Sequence, residues 1–265
     1  MPTSPNICFM DNNLLTAANM TVSSEHADYP KENMVDTVRS RVFKPLVAAT
    51  NIFNITIDLG VNASCDFLGI VSPMDAYFTI SDAATITIEA NSINNFAAPP
   101  YSTTATPELT GVFKFLDGNT DYRYWKISFD DSTNPVNLSI GYIYLGDYTQ
   151  LTSRTVSKGF TTTAIDPTTS ISSMNGTQYF DERQRYHTFN GLSLGYIPAA
   201  DRRILEKLYW DNGKSSPMFV SLDPNLKLSE EYGEMTKLMY WQDSPSVVHH
   251  FDDIYSMSFS MREVV

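Results

Sequence analysis

The sequence predicts a mostly β protein in two parts, a sandwich followed by a β domain carrying one helix. Three observations lead there. Short runs of β-branched and aromatic residues recur between turn residues, and several of them alternate apolar with polar. Only 18% of the residues are charged, so the polar surface is built from Ser, Thr, Asn and Asp, which compete with helical backbone bonds and favour turns and strands. A single segment has a helical pattern. At 265 residues with 15 Tyr, 15 Phe and 3 Trp, the chain is long enough for two domains and rich enough in apolar material to pack them.

The first strands lie between residues 55 and 89. Ile55-Thr56-Ile57-Asp58-Leu59 alternates and ends at Gly60. Phe67-Leu68-Gly69-Ile70-Val71 is a short buried run closed by Ser72-Pro73, and Tyr77–Ile80 and Thr85-Ile86-Thr87-Ile88-Glu89 follow after Asp-containing turns. Residues Asn94 to Pro107 are polar and contain Pro99, Pro100 and Pro107, a pattern that reads as a loop. Tyr124-Trp125-Lys126-Ile127-Ser128-Phe129 and Leu138 to Leu145 supply two more strands, and such spacing suits a sandwich.

Composition shifts after Gly146-Asp147, where Thr149 to Gly176 becomes rich in Ser and Thr. This places a domain boundary near residue 148, giving 1–148 and 149–265. The segment reads as a linker, or through Thr155 to Ile165 as an exposed hairpin, and is expected to order only against a partner. Gln178 to Phe189 mixes Tyr179, Arg183, Arg185, His187 and Phe189 at strand spacing. A helix near 199–212 follows. Pro198 opens it, Asp201 sits in its first turn, Ile204, Leu205, Leu208 and Tyr209 form one apolar face, and Gly213 stops it. Pro217–Leu222, Met235–Trp241 and Tyr255–Met261 are further strands.

A net charge of −12 with no run among the 18 basic residues argues against nucleic-acid binding. No stretch approaches the length of an apolar membrane span, so no membrane insertion is expected. Met1 to Phe9 lacks the pattern of a secretory signal. The sequons Asn19-Met20-Thr21 and Asn54-Ile55-Thr56 then read as chance matches, and Cys8 and Cys65 as buried free thiols.

Within this pattern the first half resembles a known family. Asn33-Met34-Val35-Asp36, Ile55-Thr56-Ile57-Asp58-Leu59-Gly60, Arg123-Tyr124-Trp125-Lys126-Ile127 and Ile140-Gly141-Tyr142-Ile143-Tyr144-Leu145-Gly146 look like the discoidin group of galactose-binding-like jelly rolls. The resemblance covers roughly residues 15 to 148. The sequence departs from that pattern in having Thr37 after Asp36, Phe43 as the nearest aromatic where a tryptophan is usual, and no terminal cysteine pair. The resemblance implies a jelly-roll sandwich whose end loops bind sugars, lipids or proteins. The second half resembles the distal-tail or minor-tail proteins at the tail tip of long-tailed bacteriophages, through Asn175 to Tyr186, Phe219 to Pro224 and Tyr255 to Glu263. That implies a β-barrel-like ring domain with one flanking helix, assembled in the host cytoplasm into the virion tail. The partners would be other tail proteins (tube, hub and fibres), further copies in a homo-oligomeric ring, and a cell-surface glycan.

Catalytic patterns are weak. Gly191-Leu192-Ser193-Leu194-Gly195 matches the nucleophile-elbow spacing, but Tyr196, Ile197 and Pro198 intervene before the helix, whereas the elbow needs a helix at once. A strand with Leu192, Leu194 and Tyr196 on one face explains it as well. His26, His187, His249 and His250 form no metal-ligand spacing. The acidic pairs Asp130-Asp131, Glu230-Glu231 and Asp252-Asp253 are chain neighbours, not the convergent carboxylates of a glycosidase. No cofactor and no catalytic or metal residue is expected, although Asp28 and Asp36 could begin a structural calcium shell. Gly60, Gly69 and Gly141 end strands and make no phosphate loop. Tyr122, Tyr124, Trp125, Tyr142, Tyr144 and Tyr148 are the candidate contact residues. Alternation would turn about half of them outward, where Tyr and Trp suit glycan stacking or protein interfaces. The expected function is that of a non-enzymatic tail-tip structural protein with a jelly roll for protein or glycan contact. The alternative is a carbohydrate-binding, host-receptor-binding protein.

Overall fold

The computed structural model describes residues 6–46, 51–73, 79–108, 111–116, 121–152, 156–157, 159–224 and 235–264. In chain order the first strands are β1 (Cys8–Met10), β2 (Met20–Val22), β3 (Ile52–Ser64), β4 (Phe67–Val71), β5 (Thr85–Asn91), β6 (Tyr101–Ala105), β7 (Gly111–Phe115), β8 (Asp121–Asp130), β9 (Tyr142–Gly146) and β10 (Thr149–Gln150). Next come β11 (Thr161–Ile165), β12 (Thr169–Ser172), β13 (Gln178–Asp181), β14 (Tyr186–Pro198), the helix α1 (Ala199–Asn212), β15 (Met218–Ser221), β16 (Thr236–Trp241), β17 (Ser246–Phe251) and β18 (Ile254–Glu263). The protein is mostly β, as expected. The strand expected at Tyr77–Ile80 begins outside the described residues, and Glu230-Glu231 lies outside them too.

The chain divides into two compact units: Met1–Gln150 with Phe219–Lys237, and Leu151–Met218 with Leu238–Val265. A boundary near 148 does not anticipate the return of Phe219–Lys237, because nothing local in that stretch marks which core it will join.

The first unit contains a jelly-roll sandwich. A five-stranded sheet in the order β2-β3-β8-β5-β6 faces a three-stranded sheet β7-β4-β9. The inner face of the larger sheet follows the period of two: Phe53, Ile55 and Ile57 on β3, Ile86, Ile88 and Ala90 on β5, and Trp125, Ile127 and Phe129 on β8 are all buried. They pack on Leu68, Ile70, Val112, Ile143 and Leu145, and Phe53 stacks on Phe129 at 4.4 Å between ring centroids.

β4 and β9 break the alternation, being buried at every residue. Their second face carries Phe67, Tyr142 and Tyr144, and it is covered by Phe219 from β15, whose ring lies 5.6, 6.2 and 5.7 Å from those three rings. Gly69 permits this closeness: a Cβ there would stand 2.8 Å from Phe219 Cζ. β15 is held by β1 (Met10↔Phe219, Cys8↔Ser221), and β1 by β10.

Two stretches differ from expectation in this unit. Tyr101–Ala105, inside the expected loop, pairs with β5 as an edge strand. Its flanking prolines sit outside the ladder, where their missing N–H costs nothing. The candidate strand from Leu138 is shorter than expected and begins at Tyr142.

In the second unit β14 pairs on one side with β11 and on the other with β18, which also carries β16 and β17. Leu192, Leu194 and Ile197 are buried. Tyr196 does not share their face, because a register shift between Leu194 and Ile197 inserts an extra residue, and Tyr196 takes up φ 56°. Helix α1 starts after Pro198 and ends at Gly213, whose φ of 57° and ψ of −155° only glycine adopts readily. Its buried residues are Asp201, Leu205 and Leu208. Asp201 Oδ1 accepts hydrogen bonds from the N–H and the hydroxyl of Thr152 at 3.1 and 2.9 Å.

The Ser/Thr-rich stretch is not one hairpin. β11 adds to β14, while β12 and β13 pair with each other, Ile171 opposite Tyr179. All eight residues of those two strands are exposed.

Candidate functional site

The six aromatic residues singled out from the sequence do not form one platform. Trp125 lies in the sandwich core and Tyr142 and Tyr144 lie beneath Phe219. Burial pushes both Tyr142 and Tyr144 hydroxyls above the usual phenol range. Tyr122 packs on Trp125 and Tyr101, and Tyr148 on Phe115. Tyr124 is half-buried beneath the Arg123 guanidinium, 4.8 Å from its ring centroid. Arg123 in turn grips Asp58 through two hydrogen bonds of 2.6 and 2.9 Å, which hold the Asp58 carboxyl below the usual carboxylate range. The alternation argument failed for β9 because it assumes one solvated face, and β9 has none.

A more open constellation lies at the end of the sandwich where β3 begins. The long connection from β2 to β3 emerges there, with the β4–β5 and β8–β9 connections beside it. Tyr29 is 36% exposed. Lys44 Nζ stands 4.3 Å from its ring centroid, and the His26 ring is 5.3 Å away. Arg41, paired with Asp36 at 2.6 Å, and Asp28 add exposed charge, while Val38 and Leu46 add exposed apolar surface. The partly exposed Tyr29 ring therefore has an ammonium over its face and an imidazole beside it, in a loop that also bears a guanidinium and carboxylates, and polar groups beside an aromatic ring suit a ligand bearing hydroxyl groups.

The loop is rigidly framed. His26 N–H donates to Lys44 O at 3.0 Å, Tyr29 N–H to His26 O at 2.9 Å, and Lys44 N–H to Tyr29 O at 3.2 Å. Phe43 exchanges two backbone hydrogen bonds with Ile140 at 2.9 and 3.1 Å. Asn33 Nδ2 donates to Val42 O at 2.8 Å, so the Asn of the resembled Asn-x-x-Asp motif acts as an internal brace. Buried Arg39 donates to the carbonyl and hydroxyl of Ser72, each at 3.1 Å. Asn51, at φ 43°, donates to Asn134 O and Val136 O at 2.9 and 2.7 Å. Asp131, one of the acidic pairs, is buried and accepts from Ser81 N–H, the Ser81 hydroxyl and Asn134 Nδ2. It ties two connections together rather than facing solvent.

The remaining candidates are dispersed. Ser193 lies within β14 opposite Ser258, so no sharp strand-to-helix turn presents its hydroxyl. His249 stacks on Tyr255, and His250 stacks on Tyr196 while meeting Ser256 Oγ at 2.6 Å. His187 N–H donates to Glu263 at 2.9 Å. Among the described residues, no group of three or more His, Cys, Asp and Glu is gathered to hold a metal ion. In Asp36, Oδ1 accepts from Val38 N–H and Oδ2 from Arg41, so its oxygens cap the loop. The sequence reading missed Tyr29, His26 and Lys44 as a group. The available signal was a lone tyrosine in the polar stretch leading into the resembled motif.

No family model matches the chain, and none of the curated proteins does. Among solved structures it is similar to a fucose binding module of Streptococcus pneumoniae, with 16% identity, 52% of this chain and 99% of that one covered, and a TM-score of 0.41. It is also similar to the family 32 CBM from C. perfringens NanJ in complex with galactose, with 13% identity, 54% and 99% covered, and a TM-score of 0.39. A third is a Clostridium perfringens module in complex with GalNAc-β-1,3-galactose, with 14% identity, 50% and 99% covered, and a TM-score of 0.40.

Proposed function

We propose that the first unit binds carbohydrate, at the end of the sandwich carrying Tyr29, His26, Lys44 and Arg41. The observation that carries this reading is the exposed Tyr29 ring, held by backbone hydrogen bonds between a lysine and an imidazole. A rigid aromatic face loses little conformational freedom on binding, and the surrounding polar groups supply directional selectivity. In this reading the protein is not an enzyme and needs no cofactor; a calcium ion at the loop would be structural. A glycan array followed by titration calorimetry tests it. Tyr29→Ala should weaken the best-bound sugar at least tenfold while the circular dichroism stays unchanged. Absence of any bound glycan, or equal binding by the variant, would remove the reading.

For the whole chain we propose the setting that the second-half resemblance implies: a structural protein of a bacteriophage tail tip, assembled from several copies alongside other tail proteins. The observation favouring assembly is the apolar surface left open in the second unit, where Ile171, Tyr179, Phe180, Val248 and Phe251 are exposed. The jelly roll would then present the glycan-contacting end toward the host.

A further inference from the structure

We propose that the second unit associates head to tail with further copies of the chain, β17 of one protomer adding to β11 of the next. This rests on the assembly reading above and names its contact.

Within this unit the strands run β17-β18-β14-β11, and every neighbouring pair is antiparallel. Among the described residues β17 pairs with β18 alone and β11 with β14 alone. They are therefore outer strands on opposite sides of the β18-β14 pair, offset along it: β17 lies against Ile254–Ser258 of β18 and β11 against Tyr186–Asn190 of β14, so a second copy must also be shifted along the strands. Three antiparallel steps separate them, so they point in opposite directions. Placing the β11 edge of a second copy, in the same orientation, along β17 makes an antiparallel ladder, the pairing more stable per residue. Each copy then uses both edges, which is a heterologous contact that repeats from copy to copy.

The composition of the two edges fits this use. Open edges are commonly blunted by lysine or proline, but Ser246-Val247-Val248-His249-His250-Phe251 and Thr161-Thr162-Thr163-Ala164-Ile165 contain no charged residue and no proline. Two copies each carrying a charge of −12 repel overall, so contact through carboxylate-free segments is the arrangement that opposes association least. Every residue of β17 is exposed, with Val248 at 54% and Phe251 at 63%. Valines on one edge and threonines on the other provide the β-branched cross-strand pairs that stabilise ladders. A second copy is favoured over an unrelated peptide because one sheet supplies both halves of the match, in length, direction and neutrality.

The test is sedimentation velocity on the full chain across a concentration series, together with Val248→Lys and a short bis-maleimide cross-linker. The wild-type chain should form concentration-dependent oligomers, and Val248→Lys should weaken association at least tenfold. Buried Cys8 and Cys65 do not compete for the cross-linker. A Val248→Cys, Thr163→Cys double variant should therefore give a ladder of covalent multimers, and each single variant none. This second readout holds even if the lysine variant folds poorly. A ladder-free double variant of an oligomeric chain overturns the edge contact while leaving assembly intact. Covalent dimers from Val248→Cys alone would mean symmetric β17 pairing and also overturn it. A monomer at every concentration removes both proposals.

Discussion

The two units bury their strands differently, and the contrast separates what holds the molecule together from what it offers to others. In the first unit β4 and β9 are covered on both faces, one by the sandwich core and the other by Phe219 and its neighbours. In the second, β12, β13 and β17 are exposed at every position. A strand buried on both faces gives stability and little surface. A strand exposed on both faces gives surface and little stability, since a two-stranded hairpin alone is marginal in water. Stability is therefore expected to concentrate in the first unit and intermolecular contact in the second, apart from the Tyr29 end of the sandwich.

The largest effect should come from Phe219. Its ring touches Phe67, Phe113, Tyr142 and Tyr144 and lies over Gly69. Phe219→Ala would leave a cavity against the doubly covered sheet, at a cost of about 3–5 kcal/mol. Urea unfolding would measure this. A loss below about 0.5 kcal/mol, the size of a surface substitution, would remove the distinction drawn between the units.

That same residue shows what could and could not be read from the sequence. β3, β5 and β8 were legible because each has one wet and one dry face, so alternation appears within five residues. β4 and β9 were legible as strands, but the covering of their second face depends on a residue about 150 positions after Gly69, which no local pattern encodes. Hence Tyr142 and Tyr144 read equally well as contact residues or as core. The helix was legible because Pro198, the Leu205 and Leu208 stripe and Gly213 all act locally. β17 has no such local mark: Ser246-Val247-Val248-His249-His250-Phe251 does not alternate apolar with polar, and exposure on both faces leaves no period to read. The Tyr29 cluster was hidden for a related reason. Lys44 reaches Tyr29 only because the connection folds back on itself.

An intermediate effect concerns the buried thiols. Burial pushes both Cys8 and Cys65 well above the ordinary thiol value of 9.0, and neighbouring carboxylates add to this at Cys65. Each binds its proton more tightly in the folded chain than in the unfolded one. Their contribution to stability is complete below the ordinary thiol value and declines as pH rises past it. The urea midpoint should fall between pH 8 and 10, with the buried Tyr142 and Tyr144 contributing in the same direction at the upper end. Neither thiol should react with a disulfide reagent at pH 8 until urea unfolds the first unit. Prompt labelling of the native chain would show that this core opens more readily than its burial implies.

The smallest effect on stability, and the sharpest test of the contrast, lies in the β12–β13 hairpin. Ile171 and Tyr179 face each other across it, 71% and 63% exposed, so replacing both with serine removes one cross-strand pair and little burial. Such a pair contributes roughly 0.2–1 kcal/mol to the hairpin itself. The global unfolding midpoint should barely move, because the second unit's core, around Leu192, Leu194, Trp241 and Phe259, makes no use of it. Local opening should change much more. Brief chymotrypsin treatment of the isolated chain should cut first at Tyr179 or Phe180, and in the variant, where Tyr179 is gone, faster at Phe180, because low-stability segments open without global unfolding. Assembly into multimers, or addition of a partner protein, should protect those bonds if the hairpin is ordered by contact. Native resistance at Tyr179 and Phe180 in the monomer would mean that the hairpin is stable by itself, and exposure would then no longer mark the segments that await a partner.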